Sequence, residues 1–141
     1  MAYLTEAAAI IAAGTTAVGT AAGWPVYLGH MPSEPAAGDQ AVALLQTGGS
    51  GTMGGVDVEE PGLQVLVRGA PMAEDSSAYP AAERAAVAVR DAIHGYVGRP
   101  ESTGHRWVGA WNVNGPEFIG FDEAGRPLLT SNYRIMRSTT T

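Results

Sequence analysis

At 141 residues the chain is of a length for one domain with a single core, taken here as residues 1–141. It holds no cysteine and no lysine, which excludes disulfides, thiolate nucleophiles, thiolate metal sites and a P-loop lysine; its eight basic residues are all arginine. Fourteen acids bring the net charge to −6, the wrong sign for a protein that grips nucleic acid without regard to sequence.

The charge is unevenly spread. Residues 1–67 carry six acids and no arginine, whereas residues 68–141 balance eight acids with eight arginines. The alanine-rich start lacks the basic flank of a signal peptide, with Glu6 standing where positive charge is needed. Gly14, Thr15, Thr16 and Gly19 interrupt it, so it falls short of a membrane span. Leu4, Ala8 and Ile11 instead space a first helix over residues 3–13, stopped at Gly14.

Trp24 to His30 reads as a strand, with Trp24, Val26 and Leu28 on one face and Tyr27 on the other, ended by Pro32 and Pro35. Ala41 to Thr47 is a second strand, and Gly48 to Gly55 a glycine-rich mobile loop. Leu63, Val65 and Val67 alternate with Gln64 and Arg68 in a third strand. Ala82, Ala86, Val89, Ile93 and Tyr96 recur at helical spacing, begun at Ser76, Ser77 and Pro80 and closed by Gly95 and Gly98. Arg106 to Val113 makes a fourth strand with Trp107 and Trp111 on one face. A terminal hairpin from Gly115 to Arg137 adds two more around Asp122 to Pro127, where Gly125 is free to take positive φ and Pro127 stops the ladder. Six strands interrupted by one helix imply an α+β domain, an antiparallel or mixed sheet with two helices on one face.

Few residues form a constellation for chemistry. Gly49-Ser50-Gly51-Thr52-Met53-Gly54 matches G-x-G-x-x-G, with Glu74 twenty residues on, but the acidic, proline-broken Val56 to Gly62 follows it where a phosphate-binding helix is required. A small nucleotide- or ligand-binding protein using this loop stands as the reading from another class. Ser50 lacks the glycine at position 52 that a nucleophile elbow needs. His30, His94 and His105 are too scattered for a metal site; His94 reads as a cation at a helix C-terminus. Asp57, Glu59 and Glu60 lack the spacing of a calcium loop and read as a solvated acidic stretch. No catalytic residue, cofactor or metal is assigned. Trp24, Trp107 and Trp111 are candidate anchors of a protein interface, with core residues as the alternative; Arg68, Arg134 and Arg137 are candidates to meet acids of a neighbour, with a solvated face as theirs.

Several segments together resemble a known family. These are Ala41 to Gly49, Pro61 to Gly69, the Tyr79 to Tyr96 helix with His94-Gly95, and Phe118 to Pro127 leading into Asn132 to Arg137. From about residue 24 to 137 the pattern resembles the small minor capsid proteins of long-tailed bacteriophages, of the tail terminator type; the family's first helix is matched only by the alanine-rich start. The resemblance implies a non-enzymatic virion protein, assembled in the host cytoplasm, that forms a six-membered ring on the head-proximal end of the tail tube. Such a ring stops tube growth and joins the tail to the neck proteins of the head; a head-completion or connector protein is the neighbouring alternative. Its expected partners are copies of itself, the tail tube protein and a neck protein, with no membrane. Six copies at −6 each carry −36, and an acidic lumen lets genomic DNA pass without sticking. The glycine-rich loop is expected to order on docking.

Overall fold

The computed structural model describes residues 2–33, 39–50, 57–102 and 104–139. Helix α1 spans Ala2–Gly14. It buries Tyr3, Leu4, Ala7, Ile10 and Ile11, while Ala8 of the expected stripe is half-buried against the same core. A turn follows in which Gly19 and Trp24 form an isolated bridge, and Val18 and Trp24 close over the core. Because Trp24 pairs there, strand β1 is only Val26–Leu28, shorter than the sequence suggests. Pro35 lies outside the described residues.

Strands β2 (Ala41–Ser50) and β3 (Val58–Arg68) form an antiparallel pair. Both outrun the sequence reading: Gly48, Gly49 and Ser50 belong to β2, and Val58 to Pro61 to β3. The rest of the expected loop, residues 51–55, lies outside the described residues. Helix α2 spans Ala78–Ile93. The Asp75 carboxylate turns the chain into it by accepting from the Ser77 N–H (2.9 Å) and hydroxyl (2.6 Å). Pro80 sits in the first turn, where backbone N–H groups have no helical partner. Ala82, Ala86, Val89 and Ile93 are buried as their spacing predicts; Tyr96 lies past the helix end and meets Trp107 edge to face, with ring centroids 6.1 Å apart.

The fourth strand and the first arm of the hairpin are one element, β4 (Trp107–Phe121), so the sheet has five strands, not six. The Gly115–Pro116 peptide within it is cis. Strand β5 (Pro127–Ser138) returns beside it; Pro127 opens this strand and pairs with Phe121, where the sequence reading had it end the ladder. The turn between them holds Gly125 at φ 77°. The strand order is β1-β2-β3-β5-β4, with β1 parallel to β2 and the other neighbours antiparallel.

Both helices cover one face of this mixed sheet. Val42 and Leu44 of β2, Leu63, Val65 and Val67 of β3, Leu129, Tyr133 and Ile135 of β5, and Trp107 and Ala110 of β4 form the core with them. One expectation fails on β4. Trp107 is fully buried, whereas Trp111 is 43 % exposed. The ladder to β5 slips by a residue between Trp107 and Gly109, and this bulge turns Trp111 to the face opposite Trp107.

Candidate subunit interface

Four of the six interface candidates are engaged within the chain. Trp24 is buried in the core. Trp107 lies under α1, its indole N–H donating to Glu6 Oε1 at 2.9 Å and its ring stacked on Tyr3 at 5.6 Å. Arg137 donates to the same carboxylate from Nε (2.8 Å) and Nη2 (3.3 Å) and reaches Glu59 through Nη1. The His105 backbone N–H completes the set at 3.0 Å from Glu6 Oε2. Burial by itself raises the Glu6 pKa, but the hydrogen bonds from Arg137, Trp107 and His105 outweigh it and hold the carboxyl below its ordinary value. Burial raises the Tyr3 phenol as well.

Arg68 is equally enclosed. Its Nε donates to the Asp39 carbonyl at 2.7 Å and its Nη1 to that of Pro32, while Arg126 beside it bonds Asp122 at 2.7 Å and reaches Asp39 at 3.5 Å. Burial and then the Arg126 charge lower the Arg68 pKa. These two arginines tie the β1–β2 connection to the sheet and to the β4–β5 turn.

Trp111 and Arg134 remain at the surface. Tyr133 and Ile135 point into the core, so Arg134 between them projects from the face the helices leave bare. Its guanidinium lies 6.0 Å from the Trp111 ring centroid and contacts both Glu60 oxygens, at 2.9 and 3.1 Å. Next to this cluster is a hollow of about 290 Å³ bordered by Gly48, Gly49, Pro61, Gly62, Val113 and Arg134. A Cβ on Gly49 would fall 2.1 Å from the Glu60 carbonyl oxygen, so β2 meets β3 there as bare backbone. That contact explains glycine at Gly49 within the G-x-G-x-x-G match, and the described flanks of the match are antiparallel strands, β2 before and β3 after it.

Sequence reasoning missed most of the exposed apolar surface. Val108, Trp111, Val113, Phe118, Ile119 and Phe121 are each 42–61 % exposed, and all lie on β4, at the end of the sheet. The edge is half closed. Trp107 exchanges backbone bonds with Gly98 (2.7 and 3.0 Å), Gly95 donates to the Ala110 carbonyl (2.8 Å), and the Asn112 N–H donates to His94 Nδ1 (3.0 Å). His94 stands at the C-cap of α2, where the sequence places it, and its ring also accepts from β4. From Val113 to Phe121 no backbone bond from another segment closes the outer edge among the described residues. The signal was present as Val113, Phe118, Ile119 and Phe121 in one short stretch, but apolar residues in a strand are as consistent with a core.

Among the described residues no group of three or more His, Asp and Glu is arranged to hold a metal ion, and no helix is long and apolar enough to cross a membrane. The family profile described as "Bacteriophage tail terminator protein" matches residues 9–139. Among solved structures, the chain is similar to one titled "Virion of native gene transfer agent (GTA) particle", at a TM-score of 0.62 and 17% identity, covering 94% of this chain and 93% of that one. That likeness is one of fold. No curated protein matches the sequence. The chain is a structural protein of the phage-tail kind and belongs to the bacteriophage tail terminator family.

Proposed function

We propose that this protein forms a ring on the head-proximal end of the tail tube, ends tube polymerisation and offers a surface to the neck of the head. The observation that carries this reading is the apolar edge of β4. Six large apolar side chains stand exposed on one strand that is braced on its inner side by β5. A single chain gains nothing from exposing them, and such an edge must be covered to avoid indiscriminate strand addition. A ring covers it on every copy, and six is the copy number the family resemblance implies. Trp111, Arg134 and the hollow beside them form a second surface, with an aromatic and an arginine that suit a protein partner such as the tube or neck protein.

The charge supports the same reading. Arg68, Arg126 and Arg137 are buried against acids and carbonyls, and the exposed acids Asp57, Glu74, Asp75, Glu83, Asp91, Glu117 and Glu123 outnumber the exposed arginines Arg84, Arg99, Arg106 and Arg134. A ring that turns such acids inward lets DNA through its lumen without holding it. The protein then acts through interfaces, without a catalytic group or cofactor, and resides in the virion.

Electron microscopy of a lysate from phage lacking this gene tests the proposal. Overlong, unattached tails beside tailless heads are expected. Tails of normal length beside leaking heads would assign the chain to the neck instead, and intact infectious particles would overturn both assignments.

A further inference from the structure

The sheet has two edge strands, β4 and β1, at its opposite ends, and they are unlike. The open part of β4, Val113 to Phe121, presents Phe118, Ile119 and Phe121 with Glu117 as its one ionisable side chain. This strip is preformed: Phe118 meets Tyr79 of α2 edge to face at 5.2 Å and Phe121 at 5.1 Å.

At the β1 end, residues 2–33 carry no exposed carboxylate or arginine, with Arg84 of α2 and Asp39 as the charged side chains at its margin. In residues 2–33 the one acid, Glu6, is buried, there is no arginine, and the exposed positions are alanine, glycine, threonine, serine and His30. Interface cores are depleted in charge, and a stretch of surface this long without it is unusual in a chain of net charge −6. Between α1 and β1 lies a hollow of about 220 Å³ bordered by Ala8, Ile11, Ala12, Val18 and Val26. An apolar cavity of roughly 150 Å³ takes up benzene, so this one is wide enough for a phenyl ring.

Resting on the ring reading above, we propose that the open half of β4 in one copy seats on the α1–β1 face of the next, with the Phe118–Phe121 pair and Ile119 entering or bordering that hollow. The occupant is a second copy of this chain because the two surfaces lie at opposite ends of one sheet and complete each other, apolar and protruding against uncharged and concave. Such a contact is head to tail, and repeated by rotation it closes a ring. A two-fold contact of β4 with β4 would leave the α1–β1 face bare and stop at a dimer.

The absence of cysteine makes the test clean. Ala12→Cys and Ile119→Cys replace exposed residues on the two surfaces, and unchanged circular dichroism and melting would show that the variants fold. Treated with a short bismaleimide, the full chain carrying both substitutions should give a ladder of covalent multimers on a denaturing gel. Either substitution alone should give monomer, and an equal mixture of the two single variants should stop at dimer. Adding Ala22→Glu to the double variant, at another exposed site of the uncharged face, should weaken the ladder at least tenfold. Rings of wild-type protein visible by microscopy without a ladder from the double variant would overturn this contact and leave the ring reading intact. Dimers from Ile119→Cys alone would replace it with a two-fold contact. Wild-type protein that forms no ring, free or on tails, would remove the ring reading and this contact with it.

Discussion

Glu6 is the acid on which most of the interior converges. One carboxylate from α1 accepts from the Trp107 indole and the His105 N–H and takes two bonds from Arg137, which joins the first helix to β4 and β5. A buried ion pair adds little relative to a well-packed apolar pair, yet losing one partner strands the other charge. Glu6→Gln should therefore destabilise the chain by about 3–5 kcal/mol in chemical denaturation. The pH dependence has a definite sign. Because the folded pKa is lowered, the contribution of Glu6 is complete above its ordinary value near 4.5 and is lost as pH falls through the lowered folded value. The gap in stability between wild type and Glu6→Gln should stay constant from neutral pH down to about that value and narrow below it; a gap that widens in acid would contradict the assignment.

Among the elements, the β4–β5 hairpin sets the character of the molecule. Two glycines within it carry different demands. Gly125, at φ 77°, sits in the turn with open space around it, so Gly125→Ala should cost only the left-handed penalty of roughly 1–2 kcal/mol. Gly115 also has positive φ, at 84°, but a Cβ there would stand 2.4 Å from the Thr130 carbonyl oxygen and 2.7 Å from Ser131 Cα. Gly115→Ala should thus lower the melting temperature clearly more than Gly125→Ala, and equal effects would show that β4 can shift away from β5. The bulge after Trp107 acts at the same scale: one slipped residue lets a single strand bury one tryptophan under α1 and present another to solvent.

At the scale of the whole molecule, the uneven charge of the sequence is resolved by topology. Acids of the first half meet arginines of the second: Glu6 and Glu59 at Arg137, Glu60 at Arg134, Asp39 at Arg126. Strand β5 lies beside β3 and so carries Arg134 and Arg137 to Glu60 and Glu59. On the function proposed above, the surface left over divides between contact with other copies along β4 and contact with other virion proteins near Trp111. Trp111→Ala removes a half-exposed side chain with little core packing, so thermal stability should move by no more than about 0.5–1 kcal/mol. If Trp111 anchors a partner, the same change should weaken docking of the ring to tube or neck by about 2 kcal/mol, a loss of roughly 30-fold in affinity. Unimpaired joining of heads to tails by this variant would remove Trp111 from that role.

The sequence by itself determined the class of fold, both helices and the centres of β2, β3 and β5. Those rest on short-range rules: 3.6-residue spacing in Ala82, Ala86, Val89 and Ile93, alternation in Leu63, Val65 and Val67, and glycine and acidic turn residues between Phe121 and Pro127. It also excluded thiol chemistry outright, by composition, and its motifs were enough to show the family resemblance. Three things waited for the tertiary structure. Whether a tryptophan or an arginine is core or surface depends on what packs over it, and four of the six interface candidates are enclosed by segments up to 131 positions away, as Arg137 is by Glu6. The merging of two strands into β4 and the bulge within it depend on pairing with β5, which leaves no local mark on the sequence. The open edge depends on strand order: had another strand lain outside β4, the backbone from Val113 to Phe121 would be paired, and the apolar side chains there would have a neighbour to pack on. An exposed edge is a property of what is not beside it, and only the assembled sheet decides that.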